Sequence, residues 1–537
     1  MTSLTIFIPA LKKETIFQDD LVKKLDGVTL VQRAINKAKK LSVNKQNIHL
    51  LTDSEEISLI AQRNGVEVYL DSSLFFDTQS PQCEFDRYLS GATKESEYTV
   101  FISPYAPLLS VELLARAIRE FKEKCKDILV PVKLVQRQLL DTNKSSGMVN
   151  VLGGASRETH RLESKAFTIL KSRTLSAGRN KNLSILAFEV DHDLIEIDTL
   201  QDWWVCEKML QRRRIIFRVI GSEKVGMGHI YRALALAHEI TDHEILFVCD
   251  TDSNVAVNKL AGYEYWLGIY EPEEVILQII DLNPDLVIND MLSTTREDVI
   301  ALKEKGIKVV NFEDLGSGSQ LADLTINELY DEPQISGSNI LWGHEHYFLR
   351  DEFSDAIPHQ FRKTVDNILI AMGGTDQHNL TQRIYNTIKD DCKRRNIHIN
   401  IVAGGGYRFH QEFAKEIDGD RGVTFTRETG VISRIMEKTQ LAIVSNGRTV
   451  YELAHMNVPA IVIPQHEREV AHDFAREDHG FLPLSGFKVG KTEKDIQVAL
   501  EMFLDDDEYR HRFFKKTTRF QFNHGKSRIL KKILNLI

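Results

Sequence analysis

Cysteine is scarce and unpatterned in this sequence. Cys83, Cys125, Cys206, Cys249 and Cys392 are the only five in 537 residues, and none has CxxC or CxxH spacing. That excludes a disulfide framework or an ordinary structural zinc site and predicts buried thiols in a reducing compartment. An excess of basic charge is also missing. The 68 Lys and Arg residues against 77 Asp and Glu give a net charge of −9, which argues against a protein that coats duplex nucleic acid but leaves room for a local phosphate pocket. No apolar run approaches the ~18 residues of a membrane helix. The opening MTSLTIFIPALKK has no basic segment before its short apolar stretch, so no leader is expected. The expectation is a cytoplasmic protein with no membrane span and no nucleic-acid partner; a homo-oligomer is left open. The sequence does have apolar residues at 42% and charged residues at 27%, enough for sizeable cores, and its length calls for about three domains.

Short β-branched runs alternate with longer helical patterns, the pattern of parallel sheets wrapped by helices. A first series of strands is predicted at 4–10, 47–53, 66–70, 98–103 and 127–132. A second is predicted at 214–222, 244–250, 285–290, 308–314 and 322–328, and a third at 367–374, 398–406, 422–428, 441–447 and 459–465. No Pro/Gly/Ser-rich linker separates the first two series; helix DWWVCEKMLQRRR runs almost directly into strand RIIFRVI. The domains are placed at 1–212, 213–360 and 361–537.

Three glycine loops follow strand ends in the C-terminal part. In GSEKVGMGHIYRALALA (221–237), Gly226 and Gly228 permit close backbone approach, and the helix behind them offers unpaired N–H groups to a phosphate or carboxylate. His229 at that helix start suits general-base work on water or a hydroxyl; alternatively the glycines make a tight turn and His229 caps or packs. In MGGTDQHNLT (372–381), the backbone amides of Gly373, Gly374 and Thr375 suit a phosphate, with Asp376 or Asn379 as a helix cap. In VSNGRTVYELAHMNVP (444–459), Gly447, Arg448 and Thr449 suit a diphosphate. Glu452 can accept both hydroxyls of a ribose or simply complement the helix N-terminus.

These strings, with GHEHYFLRDEF (343–353) between the first and second, make residues 214–537 resemble the GT-B-like UDP-sugar hydrolase of the pseudaminic acid pathway. That family is related to the peptidoglycan glycosyltransferase acting on the lipid-linked muramyl precursor. The resemblance implies a nucleotide diphosphate held between two Rossmann domains. His229 would activate water, Gly373 and Gly374 would lie in the interdomain loop, Gly447, Arg448 and Thr449 near the diphosphate, and Glu452 near the ribose. The chain departs from the family pattern where an Asp-x-Tyr is usual: Asp290 is followed by Met291 and Leu292. SNGRT replaces a smaller glycine-rich string, and the usual Asn-Gln reads instead as GlnHisGluArgGlu from Gln465.

The N-terminal part resembles CMP-sialate synthetases and related sugar cytidylyltransferases through LTIFIPA, LLTDSEEISLIAQRNGVEVYL, SPYAPLLSVELLARAI and IEIDTLQDWWVCEKML. The resemblance implies a CTP site, for which Lys12, Lys13 and Asp53 are the candidates, with Lys23 or Lys24 as further lysines that could compensate for missing family residues, and Mg²⁺ on Glu196 and Asp198, which are read as alternating on a strand and facing one way. Yet Leu11 stands where the family has an arginine, and Glu14, Thr15, Gln18 and Asp19 stand where it has Ser, Lys, Pro and Lys; acidic residues beside a triphosphate repel it.

The expected architecture is α/β: an N-terminal Rossmann-like nucleotidyltransferase (GT-A-like) domain followed by a GT-B-like pair of Rossmann domains. The expected function is nucleotide-sugar chemistry in the biosynthesis of sialic-acid-like, nonulosonic sugars, as a CMP-sugar synthetase, a UDP-sugar hydrolase, or both in one chain. The alternative is a GT-B-type glycosyltransferase with a degenerate, binding-only cytidylyltransferase-like domain.

Overall fold

The computed structural model describes residues 4–41, 47–72, 83–136, 139–142, 149–152, 159–175, 183–222 and 225–537. The chain divides into two compact units, Met1–Arg212 and Arg213–Ile537.

In the first unit, β1 (Leu4–Pro9), α1 (Leu30–Leu41), β2 (Ile48–Thr52), α2 (Glu55–Arg63), β3 (Glu67–Leu70), α3 (Cys83–Ala92), β4 (Tyr98–Ile102) and α4 (Val111–Lys124) alternate as the β-branched runs predict. They are followed by β5 (Ile128–Gln136), β6 (Thr159–Glu163), β7 (Phe167–Lys171), β8 (Ile185–Glu189) and α5 (Leu200–Leu210). The sheet runs β6-β5-β7-β4-β1-β2-β3, with β8 also pairing β5. The β4-β1-β2-β3 part is parallel, and β7 enters antiparallel to β4. Ile6, Ile8, Ile48, Leu50, Val100 and Ile102 are fully buried in its core against Val31, Ala34 and Ile35 of α1. The i, i+3, i+4 spacing of those α1 positions is what turns one helix face to the sheet.

The second unit contains two parallel sheets. The first is built from β9 (Arg214–Val219), α6 (Gly228–Ala237), β10 (Glu244–Asp250), α7 (Asn254–Leu260), β11 (Trp266–Tyr270), α8 (Val275–Asp281), β12 (Leu286–Asp290), α9 (Arg296–Glu304), β13 (Lys308–Phe312), β14 (Leu324–Asn327) and β15 (Ile340–Trp342). Its order is β11-β10-β9-β12-β13-β14-β15. The second is built from β16 (Asn367–Ala371), α10 (Leu380–Arg394), β17 (His398–Ala403), α11 (His410–Glu416), β18 (Val423–Arg427), α12 (Ile432–Met436), β19 (Leu441–Ser445), α13 (Arg448–His455), β20 (Ala460–Ile463), α14 (Glu467–Val470) and β21 (Phe481–Pro483). Its order is β18-β17-β16-β19-β20-β21. Both are doubly wound, and in each the order reverses beside the first strand, between β9 and β12 and between β16 and β19. In open α/β sheets that reversal opens a crevice at the carboxyl ends of the strands.

Three helices close the chain, α15 (Lys491–Asp505), α16 (Asp507–Thr517) and α17 (Gly525–Leu534). Ile529, Leu530 and Ile533 of α17 pack into the core of the β9 sheet with Ile215, Phe217 and Phe348. The chain therefore returns to its earlier sheet, which a linear division into 213–360 and 361–537 does not describe. A β-carbon on Gly525 would collide with the Tyr347 carbonyl oxygen, so glycine is required for that docking.

Cys206, Cys249 and Cys392 are buried free thiols as expected, whereas Cys125 is exposed at the left-handed end of α4. Burial raises the Cys206 thiol to about 11 and those of Cys249 and Cys392 to about 12, which keeps all three in the unreactive thiol form.

Candidate active site

The strand-order reversals place the glycine loops. Gly226 and Gly228, the latter the first residue of α6, follow β9; Gly373 and Gly374 follow β16; and Gly447 follows β19 as the residue before α13. These residues, with Arg448, Thr449 and Glu452, line one cavity of about 250 Å³. Gly226 has φ +85°, and a β-carbon on Gly374 would lie 3.1 Å from the Gly226 Cα, so the two loops touch backbone to backbone. Gly447 gives α13 no side-chain cap, which leaves that helix's first N–H groups available to an anion. Asp376, by contrast, accepts from the N–H groups of Leu380 and Thr381 at 2.7 Å each and so caps α10.

His229, 6% exposed, sits at the second position of α6. It does not cap the helix. Its Nδ1 lies 2.7 Å from Oδ1 of Asp290, the last residue of β12. Burial would raise the Asp290 carboxyl, but the Arg232 guanidinium and the His229 hydrogen bond outweigh it and hold the group below its usual range. Asp290 is therefore the ionised acceptor and His229 Nδ1–H the donor. That fixes the tautomer with its lone pair on Nε2, an atom without a hydrogen-bond partner among the described residues.

Arg232, one turn after His229, is the centre of a buried ionic cluster. Its Nε donates to Asp290 Oδ2 at 2.7 Å, and its terminal nitrogens reach Asp290 Oδ1, Glu313 at 3.2 Å and Glu328. Glu328 also accepts from Arg448 Nη1 at 2.7 Å, and Arg468 lies 3.5 Å from Glu313. Three guanidiniums thus face three carboxylates. Burial would raise Glu313, but Arg232, His229 and Arg468 draw it strongly down. A balanced cluster of this kind fixes geometry more than it adds net stability.

Two expected binding residues are engaged within the protein. Arg448 lies over the Tyr347 ring at 4.6 Å and donates to Glu328 and, at 3.2 Å, to the Phe348 carbonyl, so its guanidinium braces the two lobes of this unit. Glu452 accepts from Arg350 Nε at 2.9 Å, and Arg350 also pairs with Glu352 at 3.0 Å. A ribose would therefore meet a carboxylate already held in place. Arg350 lies within the GHEHYFLRDEF string, and Arg232 stands at i+3 from His229 on one helix face. Glu313 and Glu328 come from other strand ends and carry no local signal.

The N-terminal candidates are arranged differently. Asp53 accepts the backbone N–H groups of Lys12 at 2.6 Å and Lys13 at 3.0 Å, so it shapes the loop after β1. Lys12 Nζ is paired with Glu56 at 2.9 Å and Asp19 at 3.2 Å, and Lys13 Nζ reaches the Ser72 carbonyl. Glu196 and Asp198 are not on a strand; they lie in the irregular segment between β8 and α5. Ser164 Oγ donates to Glu196 Oε1 at 2.6 Å, Lys165 N–H donates to Oε2 at 2.7 Å, and Lys133 Nζ stands 3.5 Å from Oε1. Glu196 is thus engaged by protein donors, with the Lys133 ammonium beside one of the two oxygens that it could offer to Mg²⁺. Among the described residues no group of three or more His, Cys, Asp or Glu side chains is placed to hold a metal, and no helix is long and apolar enough to cross a membrane.

No family model matches the chain. It is 26% identical over 339 residues to the uncharacterized protein MJ1062 of Methanocaldococcus jannaschii, covering 59% of this chain and 65% of that protein, just under two thirds of its length. It is 27% identical over 281 residues to the spore coat polysaccharide biosynthesis protein SpsG of Bacillus subtilis, covering 49% of this chain and 81% of that one. It is also similar to the UDP-2,4-diacetamido-2,4,6-trideoxy-beta-L-altropyranose hydrolase of Campylobacter jejuni, with 26% identity over 178 residues, 32% of this chain and 64% of that enzyme.

Proposed function

We propose that residues 213–537 form a nucleotide-sugar enzyme that binds a UDP-linked amino sugar at the glycine-loop cleft and hydrolyses it. The observation that carries this reading is the His229–Asp290 pair at the reversal point of the β9 sheet, with Nε2 of His229 left as the proton acceptor. Water attacks the anomeric carbon, its proton passes to Nε2, and the bond to the phosphate oxygen breaks with its electron pair leaving on UDP. The N–H groups at the start of α13 receive the diphosphate, whose charge they stabilise as it develops. Likeness to a UDP-sugar hydrolase and to a polysaccharide biosynthesis protein supports the substrate class. A place in the synthesis of sialic-acid-like surface sugars is part of the same proposal. Incubation with a UDP-amino sugar and no acceptor is expected to release free UDP; release only when an acceptor sugar is added would replace hydrolysis by glycosyl transfer.

For the first unit we propose a cytidylyltransferase fold retained as a binding module. The pairing of Lys12 with Asp19 and Glu56, and of Glu196 with Lys133, supports this. With Mg²⁺, CTP and a panel of nonulosonic acids, no pyrophosphate above background is expected. Release that disappears in a Glu196→Ala variant would establish a second active site instead.

A further inference from the structure

Glu469, on α14, is a residue that sequence reasoning did not single out. Its side chain, 12% exposed, lines both the glycine-loop cleft and a smaller adjoining cavity of about 70 Å³ shared with Thr375, His378, Gln465 and His466. Oε2 accepts the Gln465 N–H at 2.8 Å. Oε1 lies 4.0 Å from where a β-carbon on Gly447 would stand, beside the free N–H end of α13. The wall of the anion-binding end thus contains a carboxyl group, and in its ionised form that group would repel a diphosphate.

Other charged and titratable groups surround it. They are His466, Arg468 and His472 from its own segment, His378 from the loop after β16, Arg448 at the start of α13 and Glu313 from the end of β13. Of the described residues only His466 approaches within pairing distance, at 3.8 Å. Burial, opposed by backbone hydrogen bonds at Gln465 and Asn446, pushes the Glu469 carboxyl up to about 7.

Resting on the nucleotide-sugar reading above, we propose that Glu469 contacts the diphosphate–sugar side of the ligand as a neutral carboxyl, donating a hydrogen bond to a ligand oxygen, so that binding takes up a proton. A carboxylate that must be protonated for binding weakens affinity as pH rises through its free-protein value.

The probe is UDP-N-acetylglucosamine, whose diphosphate is doubly esterified, titrated calorimetrically from about pH 6 to about pH 9. Affinity of the unaltered protein is expected to fall by up to ~tenfold per pH unit above about pH 7. Glu469→Gln, neutral and still a donor, is expected to keep the low-pH affinity with a flat profile, and Glu469→Ala to bind more weakly but equally flat. Equal slopes in the unaltered protein and Glu469→Gln would assign the titration to the neighbouring histidines and overturn the role of Glu469, as would a flat profile in the unaltered protein. Absence of binding at every pH would overturn the nucleotide-sugar reading itself.

Discussion

Replacing His229 by alanine is expected to lower acceptor-independent UDP release by about 10²–10⁴-fold, the range over which positioned proton transfer acts, while UDP affinity stays within about threefold. The separation follows from where the groups sit. His229 is absent from the lining of the cavity formed by Gly373, Gly374, Gly447 and Thr449, so its loss is not expected to remove a contact to the diphosphate. Asp290→Asn is the companion variant. The amide retains the shape of the carboxylate but can present its NH₂ to Nδ1, favouring the tautomer with the proton on Nε2 and so consuming the base. A fall in kcat comparable to that of His229→Ala, with KM little changed, is expected. Retention of full turnover by His229→Ala would remove His229 from the mechanism, and loss of UDP binding in parallel with turnover would make its role structural.

Arg232→Ala is expected to be the most damaging substitution to stability, costing about 3–5 kcal/mol, the range for removing one partner from a buried ionic group. The guanidinium is fully enclosed and satisfies Asp290, Glu313 and Glu328 together. Without it, three carboxylates stay buried with Arg448 and Arg468 as the remaining cations. The pH dependence has a definite sign. Asp290 and Glu313 are both held below their ordinary values, so their stabilising pairing is complete above the unfolded carboxylate range and is lost as pH falls below about 4. In the variant the same groups are raised by burial and are relieved by protonation. Thermal unfolding of the two proteins should therefore differ most near neutrality and converge in acid; a constant difference across that range would show that lost packing, not charge, sets the effect. Arg232→Met, which restores volume but not charge, separates the two further.

The strand runs were legible because β-branched residues in short clusters have few other uses, and β10 is found at the residues expected, 244–250. Strands expected at 214–222, 367–374 and 398–406 end instead at Val219, Ala371 and Ala403. The overshoot has one cause: each expected span includes the first residues of the glycine-bearing loop that follows the strand. The segment Ile195–Glu196–Ile197–Asp198 is the converse case. Its two-residue alternation imitates a strand, but Ile197 donates a single hydrogen bond to the Tyr105 carbonyl at 2.8 Å, and the isoleucines pack with Trp203 and Cys206. Alternation records burial on one side and does not require a ladder partner.

The glycine loops and His229 were visible because each loop is a continuous string at a strand end. The ionic cluster was hidden because its members are distant in sequence: Arg232 reaches Glu328 across 96 residues, and Arg448 reaches it across 120. Which carboxylates meet is set by the strand order β12-β13-β14, and no single stretch of sequence carries that order. Arg448 shows a related limit. It lines the cleft, but its hydrogen-bond partners lie on the other lobe of the unit.

The docking of α17 onto the β9 sheet has a consequence for the order in which this chain folds during synthesis. The sheet formed by residues 214–342 has its strands early, yet part of its core is filled by Ile529, Leu530 and Ile533. Until those residues leave the ribosome, the part of this core that they fill beside the early helices α6 and α7 has no cover, while the β16 sheet is made in the interval. The lobe translated earlier is thus completed only after the strands of the lobe translated later have been made.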